Sequence, residues 1–349
     1  MDRDKAWQFI ERMTGFAAGF TTIGLLALAD RTGILRTMAG AGPLDVASIA
    51  DRAGVDERYV EEIMSGLAVA GVLEYDPADG SFELSEEHAA VVADDTSPYS
   101  LAGYLDLLPA MATQLPALTE AVASGGGVPY VDFGELAVRG IERSNAPGTR
   151  ILLTKRWLAA MPDVVERLQA GGRVVDIGCG TGTAALTMGE AYPATEVLGV
   201  DVDTRSIERA NEKLAQAGLE NVAFQVGEAA SLEGRFDLVT AFDVIHDMAR
   251  PREELRAIRK ALGDRGVFLM LEPNVAADLE DDIGKDAATL TYGTSAMFCL
   301  TQSLSQGGMG LGAAWGPRRA EALCREAGFT EFTRLPIENP FSAFYRVEP

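Results

Sequence analysis

The C-terminal half of the chain alternates short apolar runs with amphipathic stretches, the pattern of parallel strands joined by helices. A β-branched run over 173–177 predicts the first buried strand, and a glycine turn separates it from a predicted helix. The other predicted strands cover 196–200, 222–226, 238–242, 267–271, 331–336 and 342–347, and the predicted helices cover 184–190, 204–217 and 317–327. We therefore expect an α/β, Rossmann-like domain with a seven-stranded sheet that ends in an antiparallel hairpin.

The N-terminal part predicts helices followed by a hairpin. Helices are expected over 5–20 and 22–38, bent at the intervening threonines, and the second is apolar nearly all round, which predicts burial. Asp45 and Asp56 are placed to cap two further helices, and a hairpin is predicted over 73–84. This order is typical of a mostly helical winged-helix domain. A buried terminal helix also suggests packing against a second copy, so we expect a homodimer.

Charge limits the partners of this domain. The 349-residue chain has a net charge of −22, and its predicted second helix and wing are acidic, for example at Glu61, Glu62 and Glu74. Because phosphate binding needs clustered Lys and Arg, we expect no nucleic-acid partner. The three cysteines are too few for a disulfide framework. The uncharged stretch 15–29 is shorter than the ~20 residues of a membrane span. We expect a soluble, cytoplasmic protein with no membrane partner.

The predicted domain boundaries follow from these patterns. A winged-helix and dimerisation domain is expected over 1–95, and the catalytic domain over 169–349. Between them, residues 96–168 contain several prolines and the run Gly125-Gly126-Gly127. Because proline and glycine interrupt regular structure, we predict short helices and a loop there, forming a linker and active-site lid.

The glycine turn is the strongest motif. It reads Asp176-Ile-Gly-Cys-Gly-Thr-Gly, and a dinucleotide fingerprint counted from Gly178 would need glycine where Thr183 stands. An acidic residue at the strand end would repel a pyrophosphate but could receive a cationic amine. The motif resembles that of class I S-adenosylmethionine (SAM)-dependent methyltransferases, and the winged-helix arrangement resembles actinobacterial small-molecule O-methyltransferases. The resemblance implies SAM as cofactor and S-adenosylhomocysteine (SAH) as product.

The resemblance and the sheet topology together indicate where the cofactor binds. Asp201 lies 21 positions after Gly180, at the end of the second strand, where a carboxylate would hold the ribose diol. In the family an acidic residue after the third strand takes the adenine amino group, and Glu228 matches it. The predicted cofactor-binding residues are Asp176, Gly178, Cys179, Gly180, Asp201, Val202, Gly227, Glu228, Ala229, Phe242 and Asp243.

The fourth strand ends beside the glycine turn, so His246 and Asp247 are expected over the reactive sulfonium. A hydroxyl acceptor is weakly nucleophilic at neutral pH, and a neutral imidazole suits removal of its proton. The Ile-His-Asp segment resembles the family's motif in which this histidine is the base, and Glu272 matches the glutamate that orients it. The family's second glutamate is missing from the stretch 312–318, which leaves other acceptors open.

The acceptor pocket is predicted to be apolar and aromatic, with Tyr130, Trp157, Tyr292, Phe298 and Trp315 as substrate-binding residues. The glycine-rich stretch 307–316 is predicted to be a mobile loop over this pocket. Related enzymes that methylate carbon bind a metal with this histidine and a second one. No histidine follows His246, so the two-histidine site is absent and our leading expectation is no metal. Three alternatives remain: methylation at carbon or nitrogen by positioning, a metal at His246 with Asp247 and Glu272, or a non-catalytic SAM-binding regulator.

Overall fold

The computed structural model describes all 349 residues, which separate into two compact units. The first unit comprises Met1–Ala112 and Glu135–Gly148, and the second comprises Thr113–Gly134 and Thr149–Pro349. The segment 96–168 therefore contributes to both units.

The first unit is mostly helical and contains one small hairpin. Its elements are α1 (Arg3–Arg31), α2 (Ile34–Met38), α3 (Val46–Ala53), α4 (Glu57–Val69), β1 (Glu74–Asp76), β2 (Ser81–Glu83) and α5 (Glu86–Val92). Asp45 caps α3 by accepting from the backbone N–H of Ser48, and Asp56 caps α4 in the same manner. The hairpin pairs Tyr75 with Phe82. Helix, helix and hairpin follow one another as predicted for a winged helix.

The first helix differs from its prediction. The helix continues through Thr21 and Thr22, and both hydroxyls donate to the carbonyl of Ala18 in the preceding turn. The break falls later, at Gly33, whose positive φ of 78° lets the chain turn before α2. The prediction of separate helices over 5–20 and 22–38 was therefore wrong.

Most of α1 is exposed. Its C-terminal part packs in a buried cluster with α2, α3 and α4 through Leu26 and Ala29, but the side chains before Thr22 are exposed or nearly so. The exposed apolar residues include Phe9, Met13, Phe16 and Phe20, a 4-3-4 spacing that places them in one stripe. By length and composition, α1 is also the one helix that could cross a membrane.

The second unit is built on a seven-stranded sheet in the order β5-β4-β3-β6-β7-β9-β8. The strands are β3 (Arg173–Ile177), β4 (Glu196–Asp201), β5 (Val222–Val226), β6 (Phe236–Phe242), β7 (Leu262–Pro273), β8 (Glu331–Arg334) and β9 (Ser342–Glu348). The first five strands pair in parallel, β9 is antiparallel to β7, and β8 is antiparallel to β9. The predicted Rossmann-like sheet with its terminal hairpin is confirmed.

Helices cover the sheet and create two buried layers. The remaining helices of the chain are α6 (Tyr104–Thr113), α7 (Leu115–Ser124), α8 (Gly134–Leu152), α9 (Pro162–Gln169), α10 (Thr183–Ala191), α11 (Thr204–Ala217), α12 (Pro251–Ala261), α13 (Asp286–Thr294), α14 (Leu300–Ser305) and α15 (Gly316–Glu326). One apolar layer contains Phe268 and Ile258, and the other contains Phe344 and Leu168. β3 and β6 are neighbours, but β3 connects to β4 on one side and β6 connects to β7 on the other. The direction of the connections reverses between them, so their carboxyl ends flank the switch point of the sheet.

The proline-rich segment forms longer helices than predicted. Pro109 lies inside α6 and Pro147 inside the 19-residue α8, so these prolines do not end their helices. Residues 113–134 pack in the second unit, where the Val128 N–H donates to Thr301 Oγ1 at 2.6 Å. A side chain at Gly127 would place its Cβ 2.0 Å from the Thr301 carbonyl oxygen. Only glycine allows this close contact between the two segments.

Candidate active site

The glycine turn after β3 leaves bare backbone at the switch point. Gly178, Gly180 and Gly182 all have positive φ, between 52° and 82°, which few other residues adopt without strain. A side chain at Gly178 would place its Cβ 2.4 Å from Val244, whereas space around Gly180 is open. The turn is therefore shaped for a ligand that approaches the backbone at Gly180.

Asp201 at the end of β4 is joined to this turn. Its Oδ2 accepts the Gly180 N–H at 2.8 Å, and its Oδ1 accepts the Asp203 N–H at 2.8 Å. Each carboxylate oxygen keeps a lone pair for a further donor, such as a ribose hydroxyl. Val202 follows as an exposed residue. Cys179 is 9% exposed, and burial raises the pKa of its thiol, so it is a neutral part of the wall.

The turn after β5 carries the predicted adenine contacts. Glu228 is half-exposed and pairs with Arg250, whose Nη2 lies 3.0 Å from Oε1. Gly227 donates its N–H to the Asp201 carbonyl, which ties this turn to β4. Ala229, a predicted cofactor-binding residue, is 2% exposed and donates its N–H to Glu254 at 2.9 Å, so this N–H is already used inside the protein.

Acidic groups surround the switch point. Asp176 is buried, and Thr240 Oγ1 donates to its Oδ1 at 2.6 Å. Burial raises the pKa of Asp176 to about 7 and that of Asp243 to about 6, and burial also raises the pKa of Asp201. Asp243 is the one non-glycine residue with positive φ, 59°. A cation bound among these carboxyl groups would stabilise their charged forms, so the site suits a positively charged ligand.

His246 and Glu272 form a buried pair. His246 lies in a 3-10 turn (Ile245–Asp247) just beyond β6, and its Nδ1 is 2.6 Å from Glu272 Oε2 at the end of β7. Both residues are 2% exposed. Burial disfavours the imidazolium ion, but the carboxylates of Asp247 and Glu272 outweigh it and hold the pKa of His246 well above its ordinary value. The Nδ1 contact orients the ring and leaves Nε2 as the second proton site.

Two groups lie at the other side of this ring. Asp247 Oδ1 is 3.5 Å from Nε2, too long for a good hydrogen bond, and this buried oxygen has no hydrogen-bond partner. The thiol of Cys299, which ends the turn Ser295–Cys299, lies near the ring, and burial raises its pKa to about 12. Ligand atoms of His246, Asp247 and Cys299 lie within 4.8 Å of one another. Cys299 was not among the predicted site residues, because only the fold brings this turn to His246.

The predicted aromatic residues fall into separate groups. Tyr130 and Phe298 lie edge to face at 6.0 Å, and Phe133, which was not predicted, packs on Phe298 at 4.7 Å. Burial and the charge of Asp203 raise the pKa of Tyr130. Trp157 is 6% exposed and lies 5.6 Å from the ring of Phe242. Tyr292 on α13 is partly exposed.

The glycine-rich stretch, which was predicted to be a mobile loop, is hydrogen-bonded to the segment that carries His246. Met309 donates its N–H to the Ala249 carbonyl, and Gly312 donates to the His246 carbonyl at 3.3 Å. Buried Ser303 bonds both Met248 and Gly310. Trp315 is 7% exposed and donates its indole N–H to Glu272, so it lies behind the base rather than lining an open pocket.

The strand order and the glycine turn at the switch point define the class I methyltransferase fold. Residues 168–320 match the family described as Methyltransferase domain, and residues 21–94 match the Rv2258c-like winged HTH domain. The chain thus joins a stretch that matches a methyltransferase domain to a stretch that matches a winged-helix domain, and similar solved structures hold SAM or SAH.

Known proteins resemble this chain over about a third of its length or over nearly all of it. An uncharacterized methyltransferase, YcgJ of Bacillus subtilis, is 34% identical over 107 residues, which is 30% of this chain and 42% of YcgJ. The 27-O-demethylrifamycin SV methyltransferase of Amycolatopsis mediterranei is 31% identical over 33% of this chain and 41% of its own. The chain therefore spans less than half the length of these relatives. Human N-acetylserotonin methyltransferase, solved with SAM, superposes with a TM-score of 0.69 at 21% identity, covering 98% of this chain and 97% of its own.

Proposed function

We propose that this protein transfers a methyl group from SAM to a hydroxyl group of a small molecule, with His246 as general base. The observation that carries this proposal is the buried contact of 2.6 Å between His246 Nδ1 and Glu272 Oε2, at the carboxyl ends of β6 and β7. A histidine oriented by a carboxylate in a water-excluded cleft is the arrangement that proton removal requires.

The cofactor-binding residues of the proposal surround the glycine turn. Asp201 would accept from the ribose hydroxyls, and Glu228 would accept from the adenine amino group. Asp176 and Asp243 would face the positive charges, and their raised pKa values show that burial now disfavours their ionised forms. Bound SAM supplies the methyl group on an electrophilic sulfonium. The clustered carboxyl groups of Asp176, Asp201 and Asp243 fit a cationic cofactor better than a phosphate-bearing one.

The base would act through Nε2. Glu272 holds the Nδ1 proton and fixes the tautomer, so Nε2 keeps the lone pair that accepts the hydroxyl proton. His246 is buried and the Cys299 thiol lies near its ring, so the acceptor hydroxyl would approach Nε2 beside that thiol. The proton would pass from the acceptor oxygen to Nε2 as the oxygen attacks the methyl carbon.

The acceptor would be largely aromatic or apolar. Tyr130, Phe133 and Phe298 form one aromatic group beside the turn that carries Cys299, and Tyr292 lies on the preceding helix. The relative from Amycolatopsis is named for methylation of a rifamycin oxygen. We take its acceptor class, a hydroxyl of a secondary metabolite, as the working assignment for this protein.

The decisive experiment uses SAM with a deuterated methyl group and an extract of the source organism. Mass spectrometry should show a labelled product with the native protein, and the product identifies the acceptor. Asp201→Ala should remove SAM binding and the product. His246→Ala should bind SAM but lose about 10²- to 10⁴-fold in rate, the usual contribution of a general base.

The same experiment separates catalysis from cofactor sensing. A sensor would bind SAM, yield no labelled product from any extract and behave identically in His246→Ala. If the alanine variant keeps the native rate, His246 is not the base.

A second candidate function is methyl transfer to carbon or nitrogen with a metal ion at His246. The unpartnered Oδ1 of Asp247 and the nearby Cys299 thiol favour it, since three ligand types lie within 4.8 Å. An ion on Nε2 would prevent its use as a base, so the two mechanisms exclude each other. Elemental analysis of the purified protein decides between them: stoichiometric metal that is lost in Cys299→Ser supports this candidate.

We also propose that the protein is a homodimer formed through the first unit. The apolar stripe of α1 is exposed in the single chain, and its 4-3-4 spacing suits packing against another helix.

A further inference from the structure

Glu272 has a second side-chain partner besides the base. The indole Nε1 of Trp315 lies 2.9 Å from Glu272 Oε2, the same oxygen that contacts His246 Nδ1. The other oxygen, Oε1, accepts the backbone N–H of Ile245 at 3.0 Å. The buried carboxylate is thus held by three donors from two separate parts of the chain.

We propose that Trp315 is a positioning residue, whose indole N–H holds the Glu272 carboxylate in the orientation that aligns His246. This inference rests on the proposed function, because it assigns a group that supports the base. Trp315 does not touch the reacting atoms, and it would act only through Glu272. Its neutral N–H satisfies the buried carboxylate without adding another charge to the cluster.

The backbone ties Trp315 to the loop that carries the base. Gly312 donates its N–H to the His246 carbonyl, and the N–H of Ala314 donates to Ser295 Oγ at 3.4 Å. Trp315 immediately precedes α15, and Gly316 has a positive φ of 72° that lets the chain turn into the helix. The backbone contacts of Gly312 and Ala314 fix the chain on the N-terminal side of Trp315.

Removing this donor would leave Oε2 with one partner. Glu272 could then rotate about its side-chain torsions, and the ring of His246 would lose part of its fixed orientation. Groups that orient a functional histidine typically contribute about 10- to 100-fold to activity. The loss should fall on kcat, since neither substrate is bound by the indole.

Two substitutions separate hydrogen bonding from packing. Trp315→Phe keeps an aromatic ring but has no donor, whereas Trp315→Gln keeps an N–H donor and loses apolar volume. We expect Phe to be the more stable variant with about 10- to 100-fold lower kcat, and Gln to be less stable but at least about threefold more active than Phe. KM for the acceptor should change little in either. A packing role predicts the opposite, with activity following stability.

A packing control comes from the same apolar layer. Phe329 is 3% exposed, stacks on Phe268 and carries no polar atom. Phe329→Leu should lower the melting temperature without the selective loss of kcat. If it lowers kcat as much as Trp315→Phe does, the positioning role is overturned.

A measurement on the folded protein needs no turnover. The chain has three tryptophans, so ¹⁵N-tryptophan labelling gives three indole N–H signals, and the signal lost in Trp315→Phe belongs to Trp315. This signal should exchange slowly with solvent and move in Glu272→Gln, because its acceptor changes from a carboxylate to an amide. A Trp315 signal that stays in place overturns the inference. If Trp315→Phe fails to fold, Trp7→Phe and Trp157→Phe assign the remaining signal to Trp315. Native activity in His246→Ala would instead overturn the proposed function, so the two failures are distinguishable.

Discussion

His246 Nδ1 and Glu272 Oε2 lie 2.6 Å apart although 26 residues separate them in the chain. The contact forms because β6 and β7 are parallel neighbours, so the residues that follow one strand meet those that end the other. The sheet therefore sets the geometry of the His246–Glu272 pair, and the surrounding carboxylates set the protonation of His246.

The first prediction concerns pH. Asp247 and Glu272 hold the pKa of His246 well above 6.5, so the ring stays protonated at pH values where free histidine is neutral. Only the neutral ring accepts a proton, and kcat should therefore be low near pH 6 and rise as the pH passes the raised pKa. A pH–rate profile checks this. The rise should be absent from the residual activity of His246→Ala, and a flat native profile contradicts a base at this position.

The second prediction concerns Glu228 and its ion pair with Arg250. If Glu228 accepts from the adenine amino group, Glu228→Gln should weaken SAH binding about tenfold, as expected when a charged acceptor is lost. Arg250→Ala frees the Glu228 carboxylate, so the Kd of this variant for SAH should equal the native value or fall below it. Isothermal titration calorimetry measures both.

Arg252 offers a matched control for Arg250. It lies on the same stretch and pairs with Glu326 at the surface, so Arg252→Ala should leave SAH affinity unchanged. If Arg250→Ala weakens binding as much as Glu228→Gln, the ion pair rather than the carboxylate is what the ligand needs.

The third prediction concerns stability. Burial raises the pKa of Asp176 to about 7, against about 3.9 in an unfolded chain. Between these two pKa values, the folded state keeps a proton that the unfolded state has lost. The free energy of unfolding therefore falls as the pH rises from about 4 to about 7. Asp176→Asn should show a smaller drop in melting temperature between pH 5 and pH 8 than the native protein.

Asp163 provides the comparison for this titration. The Arg346 guanidinium lowers its pKa to about 2, so Asp163 stays charged throughout the same range. Asp163→Asn should shift the melting temperature by a similar amount at every pH. Identical pH slopes for the native protein and Asp176→Asn would refute the assignment.

The fourth prediction concerns the stripe on α1. Phe16→Glu places a charge in the middle of this apolar stripe and should convert the proposed dimer to a monomer, because burying an unpaired carboxylate is costly. Analytical ultracentrifugation measures the mass. Tyr59→Glu, at another exposed aromatic position of the first unit, should leave the mass unchanged. A dimer that persists in Phe16→Glu places the interface elsewhere.

Much of the fold could be predicted because its signals are local. The strand Arg173–Ile177 and the glycine turn are encoded in consecutive residues, and Asp45 and Asp56 cap their helices through contacts two or three residues away. The helix error at Thr21 and Thr22 has a local cause too. Threonine hydroxyls can bond the carbonyls of the preceding turn, so threonine does not have to end a helix.

The site was harder to predict where partners are distant in sequence. Trp315 was expected to line a pocket, but it contacts Glu272, 43 residues earlier, and that pairing exists only once α15 packs on the sheet. Cys299 likewise lies near His246 only in the folded chain. No pattern of neighbouring residues reports such contacts, whereas the place of His246 at a strand end followed from sheet topology.

The division of the chain at residues 112, 134 and 148 affects how this protein can be altered by recombination. The segment with Tyr130 precedes a stretch of the first unit, yet it is locked against α14 by Val128 and Thr301. A fragment that starts at residue 149 would lack an aromatic wall of the proposed pocket. A single recombination crossover therefore cannot exchange one unit intact. We expect a chimaera that receives the N-terminal unit of one parent to receive that parent's acceptor preference as well.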